Sequence, residues 1–172
     1  MAGESSKFGA SAAGKAKAVG KILKGETGIL RHLADEHGEV SVLMKRVADT
    51  SDARVRKELF ADVYRNLMAH AKAEEQTFYP VLRRQPSLSP LVDKSLEEHR
   101  QVEAWLDELK DGDQSTATWK TEFERMMHAV EEHVRLEEEE IFPQAKDLLD
   151  ARERKDMLDR FEKAEHAVKG RL

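Results

Sequence analysis

Two stretches of this chain match closely in residue type and spacing. The first is His70-Ala-Lys-Ala-Glu74-Glu75-Gln-Thr-Phe78-Tyr79-Pro80, and the second is His133-Val-Arg-Leu-Glu137-Glu138-Glu-Glu-Ile141-Phe142-Pro143. Both read histidine, three residues, two glutamates, two residues, a bulky apolar residue, an aromatic residue and proline. Self-similarity of this kind indicates that the chain contains two copies of one structural unit.

A second, shorter repeat lies upstream of each of these stretches. Glu36-His37-Gly-Glu-Val40 corresponds to Glu98-His99-Arg-Gln-Val102. The spacing agrees as well, because His37 precedes His70 by 33 positions and His99 precedes His133 by 34. The repeats therefore predict two helical hairpins, which form an up-down-up-down four-helix bundle with an approximate twofold axis.

The apolar periodicity predicts bundle helices over about 27–48, 53–84, 91–110 and 115–150, and an amphipathic helix over 151–168. The polar cluster at 49–52 breaks the first helix and supplies a cap for the second, and Asp111-Gly112-Asp113 ends the third. Pro80 and Pro143 are expected to loosen the helices near their ends. We divide the chain into a flexible or partly helical leader (1–25), a four-helix bundle with a di-metal site (26–150) and an amphipathic C-terminal helix packed on it (151–172).

Composition supports an all-α protein and excludes several kinds of site. Of the 172 residues, 37% are charged and 6% are aromatic, a mix that favours long helices. There is no cysteine, so disulfides, thiolate zinc sites and Cys-ligated iron–sulfur clusters are excluded. The net charge of −5 does not suggest a nucleic-acid partner. The chain has no long apolar run and no secretory h-region, so we expect a cytoplasmic protein with no membrane partner. We expect a monomer or a weak homodimer.

Four histidines occupy positions on apolar helix stripes where leucine or valine is usual. Two of them have a glutamate four residues later, which places both side chains on one helix face. An ionised glutamate inside a bundle is costly unless a positive charge compensates it. Imidazole and carboxylate ligands suit Fe, Zn, Mn or Cu, and the two similar hairpins suggest two ions bridged by the glutamates. The candidate metal ligands are His37, His70, Glu74, His99, His133 and Glu137.

Each of these residues, taken alone, has an interpretation without a metal. A single histidine on an apolar helix face is usually a core residue, and an isolated HxxxE motif is usually solvated. The duplication favours the metal site for the set as a whole. Whether four weaker candidates join the site stays open: Glu103, His32, His128 and His166. Glu103 follows His99 by four residues, but the first helix has Ser41 at the corresponding place. Four adjacent glutamates are expected to face solvent or to support the imidazoles: Glu36, Glu75, Glu98 and Glu138.

At these residues the sequence resembles the hemerythrin-like, HHE cation-binding family, over about residues 27–150. The family signature, H…HxxxE…H…HxxxE on four successive helices, is met here by the six candidate ligands. The resemblance implies a non-haem di-iron site in the bundle core, with an oxo or hydroxo bridge and both glutamates bridging. Oxygen-carrying members have an additional histidine in the third-helix motif, where this chain has Glu103, and an aspartate late in helix four, where it has Glu137. The site is therefore expected to be less suited to reversible oxygen carriage.

Three functions follow from this resemblance. The first is binding or sensing of O2 or NO without turnover. The second is a di-iron redox enzyme that reduces peroxide or nitric oxide, or a donor of iron to damaged clusters; whether the protein is an enzyme stays open. The third is iron storage or a zinc-stabilised bundle, against which the HxxxE order argues, because ferritin-like sites use Glu and ExxH motifs.

Overall fold

The computed structural model of the chain describes residues 25–172, and every regular element among them is helical. In chain order the elements are α1 (Ile29–Asp49), α2 (Ala53–Thr77), α3 (Tyr79–Leu82), α4 (Ser89–Asp111), α5 (Ala117–Leu136), a π-helix π1 (Glu137–Ile141), α6 (Phe142–Leu148) and α7 (Ala151–Lys169). The leader predicted for residues 1–25 lies, up to residue 24, outside the described part of the chain.

The predicted fold class is confirmed: α1, α2, α4 and α5 form an up-down-up-down bundle, and α7 is an additional C-terminal helix. Local polar residues set the helix ends, as the sequence indicates. The Asp52 carboxylate accepts hydrogen bonds from the backbone N–H groups of Arg54 and Val55, at 2.8 and 3.1 Å, and so caps α2. The helix α4 ends where Gly112 leaves the helical conformation.

The second bundle helix ends earlier than predicted. It was expected to continue to residue 84, but α2 ends at Thr77 and a separate short helix, α3, contains Pro80 in its first turn. Proline has no N–H, so it cannot donate the hydrogen bond that would continue the helix. The break turns Phe78 and Tyr79 into the core, where both are buried.

The fourth bundle helix is also not continuous, contrary to the prediction of one helix over 115–150. After α5 the backbone widens into π1, and α6 then begins with Pro143 in its first turn. The absent N–H of Pro143 interrupts the regular ladder at this point, and the wider π turn accommodates the interruption. Because π1 begins at Glu137, the irregular turn carries two of the glutamates that the sequence analysis singled out.

Two apolar clusters occupy the bundle on either side of a polar layer. One contains Leu33, Phe78 and Phe142, together with residues of α6 and α7. The other contains Phe60, Phe123 and residues of all four bundle helices. The candidate ligands lie between the two clusters, so the polar layer is enclosed by apolar side chains above and below.

The C-terminal helix α7 packs along α2 and against α1. Phe161 is fully buried in this contact, and a capping box between Asp150 and Glu153 fixes the start of α7. At the start of α1, Gly28 has φ +73°, and a Cβ atom there would lie 2.9 Å from the carbonyl carbon of Arg154. Only glycine fits this conformation and this close approach. Among residues 25–172, no helix has the length and apolarity needed to span a bilayer.

Candidate metal centre

The structure brings all six predicted ligands together in the middle of the bundle. Each helix supplies one histidine: His37 from α1, His70 from α2, His99 from α4 and His133 from α5. Their Nε2 atoms point toward Glu74 and Glu137, both of which are fully buried. Four in-register helix positions thus converge on two carboxylates, as the repeats predict.

The two buried glutamates each reach one histidine of each hairpin. Glu137 Oε2 lies 3.2 Å from His37 Nε2 and 3.6 Å from His133 Nε2. Glu74 Oε2 lies 3.4 Å from His70 Nε2 and 3.5 Å from His99 Nε2. In each carboxylate one oxygen, Oε2, therefore lies between a histidine of the first repeat and a histidine of the second.

The outer nitrogens of the four imidazoles are bound to four other glutamates. The Nδ1 atoms lie 2.7–3.2 Å from a carboxylate on a neighbouring helix or on π1, in the pairs His70–Glu36, His99–Glu75, His133–Glu98 and His37–Glu138. Since an ionised carboxylate only accepts, each Nδ1 donates to it, and in the neutral form of each imidazole the lone pair then lies on Nε2 and points inward. These pairs run from helix to helix around the bundle, and they show that the adjacent glutamates support the imidazoles.

Three of these outer glutamates are stabilised in their ionised form. Burial raises the pKa of Glu36, Glu75 and Glu98, but the hydrogen bonds from the imidazoles and from nearby side chains outweigh it, so the net pKa of each lies below its usual range. An ionised carboxylate on Nδ1 fixes the ring orientation and makes Nε2 a better electron-pair donor.

A tyrosine that the sequence analysis did not single out completes the polar layer. The buried Tyr79 hydroxyl donates a hydrogen bond to Glu137 Oε1 at 2.6 Å and lies 3.3 Å from His99 Nε2. The corresponding residue of the second repeat, Phe142, stacks on His37 at 5.8 Å but has no hydroxyl. The sequence signal for Tyr79 was its replacement by Phe142 in the aligned second repeat. The same difference makes the two halves of the site chemically unequal.

Burial and mutual contacts shift the pKa values of the central residues. Burial and the nearby Glu137 carboxylate raise the pKa of Glu74 well above its usual range. Burial lowers the pKa of His99 to about 4, against the hydrogen bond to Glu75. For His37 burial acts in the same sense, but the neighbouring carboxylates of Glu137 and Glu138 outweigh it and raise its pKa to about 9.

The donor atoms fit metal ions. The Nε2 atoms of His37 and His70, both Glu74 oxygens and Glu137 Oε2 are buried without a hydrogen-bond partner. His99 Nε2 and His133 Nε2 lie 3.0 Å apart, and two inward lone pairs at that distance repel unless a positive charge lies between them. Two overlapping groups of donors lie within 4.8 Å, one of His37, His70, Glu74 and Glu137 and one of Glu74, His99 and His133.

The four weaker candidates lie outside this cluster. Glu103 forms an ion pair with Lys72 at 2.5 Å and belongs to neither group of donors. His128 and His166 are exposed. His32 faces Glu36 at 3.3 Å, on the outer side of the imidazole layer, with the Phe161 ring edge-on to it.

Consecutive glutamates contact the two nitrogens of one imidazole in both repeats. Glu74 and Glu75 of the regular helix α2 contact His99 at 3.5 and 3.2 Å, and two glutamates of the π-helix π1 contact His37. Glu137 and Glu138 bind the two nitrogens of His37, Nε2 at 3.2 Å and Nδ1 at 2.9 Å. One residue thus points into the core and the next contacts the outer edge of the same ring. Single π turns of this kind are frequent at functional sites.

Comparisons with known proteins agree with this geometry. The chain is 26% identical over 140 residues to a DNA nickase from Nostoc sp.; the match covers 80% of the chain but only 39% of that protein. A crystal structure of a hemerythrin HHE cation-binding domain-containing protein from Mycobacterium kansasii superposes with a TM-score of 0.74 at 20% identity, covering 85% of the chain and 90% of that protein, which shows a shared fold. The sequence profile of the hemerythrin HHE cation-binding domain matches residues 28–145. The chain therefore belongs to the hemerythrin HHE cation-binding family.

Proposed function

We propose that the centre holds two iron ions, one by His37 and His70 and the other by His99 and His133, with Glu74 and Glu137 shared between them. The observation that carries this proposal is that each buried glutamate reaches one histidine of each pair, at 3.2–3.6 Å. The donor atoms form two groups, one around each pair of histidines, and a single ion would leave one group unfilled. Two ions would compensate both buried charges and every unpaired donor atom of the layer.

We infer that this centre binds or senses O2, or NO, in the cytoplasm. Bound iron would supply the affinity for such ligands and the ability to change oxidation state. The chain's own residues would fix the geometry, because the four Nδ1–carboxylate pairs hold the rings from outside. The apolar clusters on both sides would limit access of water to the layer. The glutamate at position 103, where oxygen carriers have histidine, favours sensing or scavenging over transport.

The second candidate is a redox enzyme that reduces peroxide or nitric oxide. Tyr79 favours it, because its hydroxyl holds a proton 2.6 Å from Glu137 Oε1, inside the centre. Reduction of an O–O bond consumes protons, and a buried donor at this position would deliver one without admitting water. The nickase activity of the Nostoc relative is not part of this proposal, since the chain covers 39% of that protein.

An anaerobic absorption spectrum, recorded before and after addition of O2 and again after its removal, separates the candidates. A visible band that appears with O2 and disappears on its removal supports binding or sensing. Irreversible oxidation, followed by re-reduction while peroxide or NO is consumed, supports the enzyme. An iron-loaded protein whose spectrum responds to none of these ligands contradicts both. His128→Ala, an exposed histidine on α5, is the matched control and should behave as the parent.

A further inference from the structure

A cavity of about 160 Å³ lies against the four histidines. Neither Glu74 nor Glu137 lines it, so it extends from the imidazoles away from the buried carboxylates. Its walls come from all four bundle helices, and they are mainly aliphatic: Val40, Leu43, Leu67, Val102, Leu106 and Val130. The ions of the proposed centre would occupy part of this volume beside the imidazoles, so the space left for a ligand is smaller than the whole cavity.

Charged and polar side chains also line the cavity. Glu165 and Lys169 of α7 form an ion pair at 2.6 Å, with the Glu165 side chain 12% exposed and that of Lys169 32%. The remaining polar lining comes from Glu36, Glu39, Asn66 and Glu103. The space therefore combines imidazole nitrogen atoms, aliphatic side chains and charged groups.

The volume exceeds what a diatomic ligand requires. One water molecule takes up about 30 Å³ of liquid, and O2 or NO is of comparable size, whereas protein interiors rarely leave voids larger than a water. An apolar cavity of about 150 Å³ is known to stay dry and to bind benzene or xenon. A space of this size and lining therefore matches a ligand with an apolar body of at most about six heavy atoms.

We propose that this cavity binds a small, mainly apolar organic molecule of about the size of benzene, held by the aliphatic walls beside the imidazoles. The binding itself does not depend on iron. Only the role of the bound molecule, as the one that the metal centre senses or acts on, rests on the proposed function. A ligand of this class would be an organic compound whose one polar end faces the centre, and not a bare diatomic gas.

Benzene, added to the purified full-length protein, is the probe. A ligand that binds only the folded state raises the melting temperature by mass action, here by about 3–10 °C near saturation. Val102→Phe fills the cavity from α4 and should abolish the rise, as should Leu43→Phe from α1. Val42→Phe is the matched control, because Val42 is 63% exposed and does not line the cavity. Two filling variants on different helices keep the test intact if one of them does not fold.

A rise in the parent and in Val42→Phe, but in neither filling variant that folds, supports the proposal. No rise in the parent means that the cavity is filled with water and overturns it. An equal rise in a folded filling variant places benzene elsewhere and also overturns it. Metal analysis of the same samples keeps this outcome separate from the di-iron proposal, because benzene binding is measured whatever metal is present.

Discussion

The pair formed by His37 and Glu138 offers a sharp test of how the bundle supports its centre. The Glu138 carboxylate accepts from His37 Nδ1 at 2.9 Å, and the two side chains are only 13% and 4% exposed. Such an outer partner of a metal-binding imidazole contributes about 10- to 100-fold in metal affinity. Glu138→Ala should therefore weaken metal binding by about 1.4–2.8 kcal/mol at 1.4 kcal/mol per factor of ten.

The same substitution should also lower stability. It leaves the Nδ1–H of His37 buried without an acceptor, which costs about 1–3 kcal/mol. The matched control is Glu139→Ala, since Glu139 lies next in sequence in π1 but is exposed. The free energy of unfolding of the metal-free protein should fall for Glu138→Ala and remain within about 0.5 kcal/mol of the parent for Glu139→Ala.

The assay for affinity is titration of the metal-free protein with Zn²⁺ in competition with a chromophoric chelator, which avoids oxidation chemistry. Glu138→Ala should release zinc to the chelator at a 10- to 100-fold lower chelator concentration than the parent does. Glu139→Ala should match the parent. Equal affinities for Glu138→Ala and Glu139→Ala would refute the reasoning, because the ring of outer carboxylates would then contribute nothing to metal binding.

Three further predictions concern the centre itself. His133→Ala should reduce metal content and lower the melting temperature, because Glu137 loses a compensating partner. His166→Ala should change neither quantity. Metal analysis and calorimetry measure both variants, and unchanged values for His133→Ala would exclude His133 as a ligand. Tyr79→Phe removes the donor to Glu137 and should cost about 1–3 kcal/mol of stability, with metal stoichiometry retained, as measured by urea unfolding and metal analysis; no loss would contradict the hydrogen bond's importance. Metal binding at pH 7 should release protons, because the pKa of His37 is about 9 and that of Glu74 is raised. Metal affinity should therefore increase with pH up to about 9. Calorimetry of metal binding in buffers of different ionisation enthalpy measures the proton release, and a release of zero would contradict this prediction.

The sequence predicted the polar layer because helix periodicity fixes the side of a helix on which a residue lies. His70 and Glu74, four residues apart, had to share a face, and the repeats placed His133 and Glu137 opposite them. The all-α bundle and the additional C-terminal helix followed from the same periodicity, and the structure confirms them.

Periodicity could not predict which neighbouring helix each outer glutamate contacts. The pairing of Glu98 with His133, on the next helix of the bundle, depends on the lateral arrangement and rotation of two helices, which one helix's pattern does not contain. The π turn at Glu137 could not be predicted for a similar reason. Pro143 indicates that the helix is interrupted, but it does not indicate which backbone geometry accommodates the interruption. The contribution of Tyr79 to the site could have been predicted from the sequence, because Phe142 occupies the corresponding position of the second repeat.

Metal analysis of freshly purified protein is the most direct test of the di-iron proposal. We expect two iron atoms per chain, reduced to a fraction of that in His133→Ala. One metal per chain would contradict sharing of Glu74 and Glu137 between two ions. Zinc or no metal would leave the bundle intact and contradict the di-iron function.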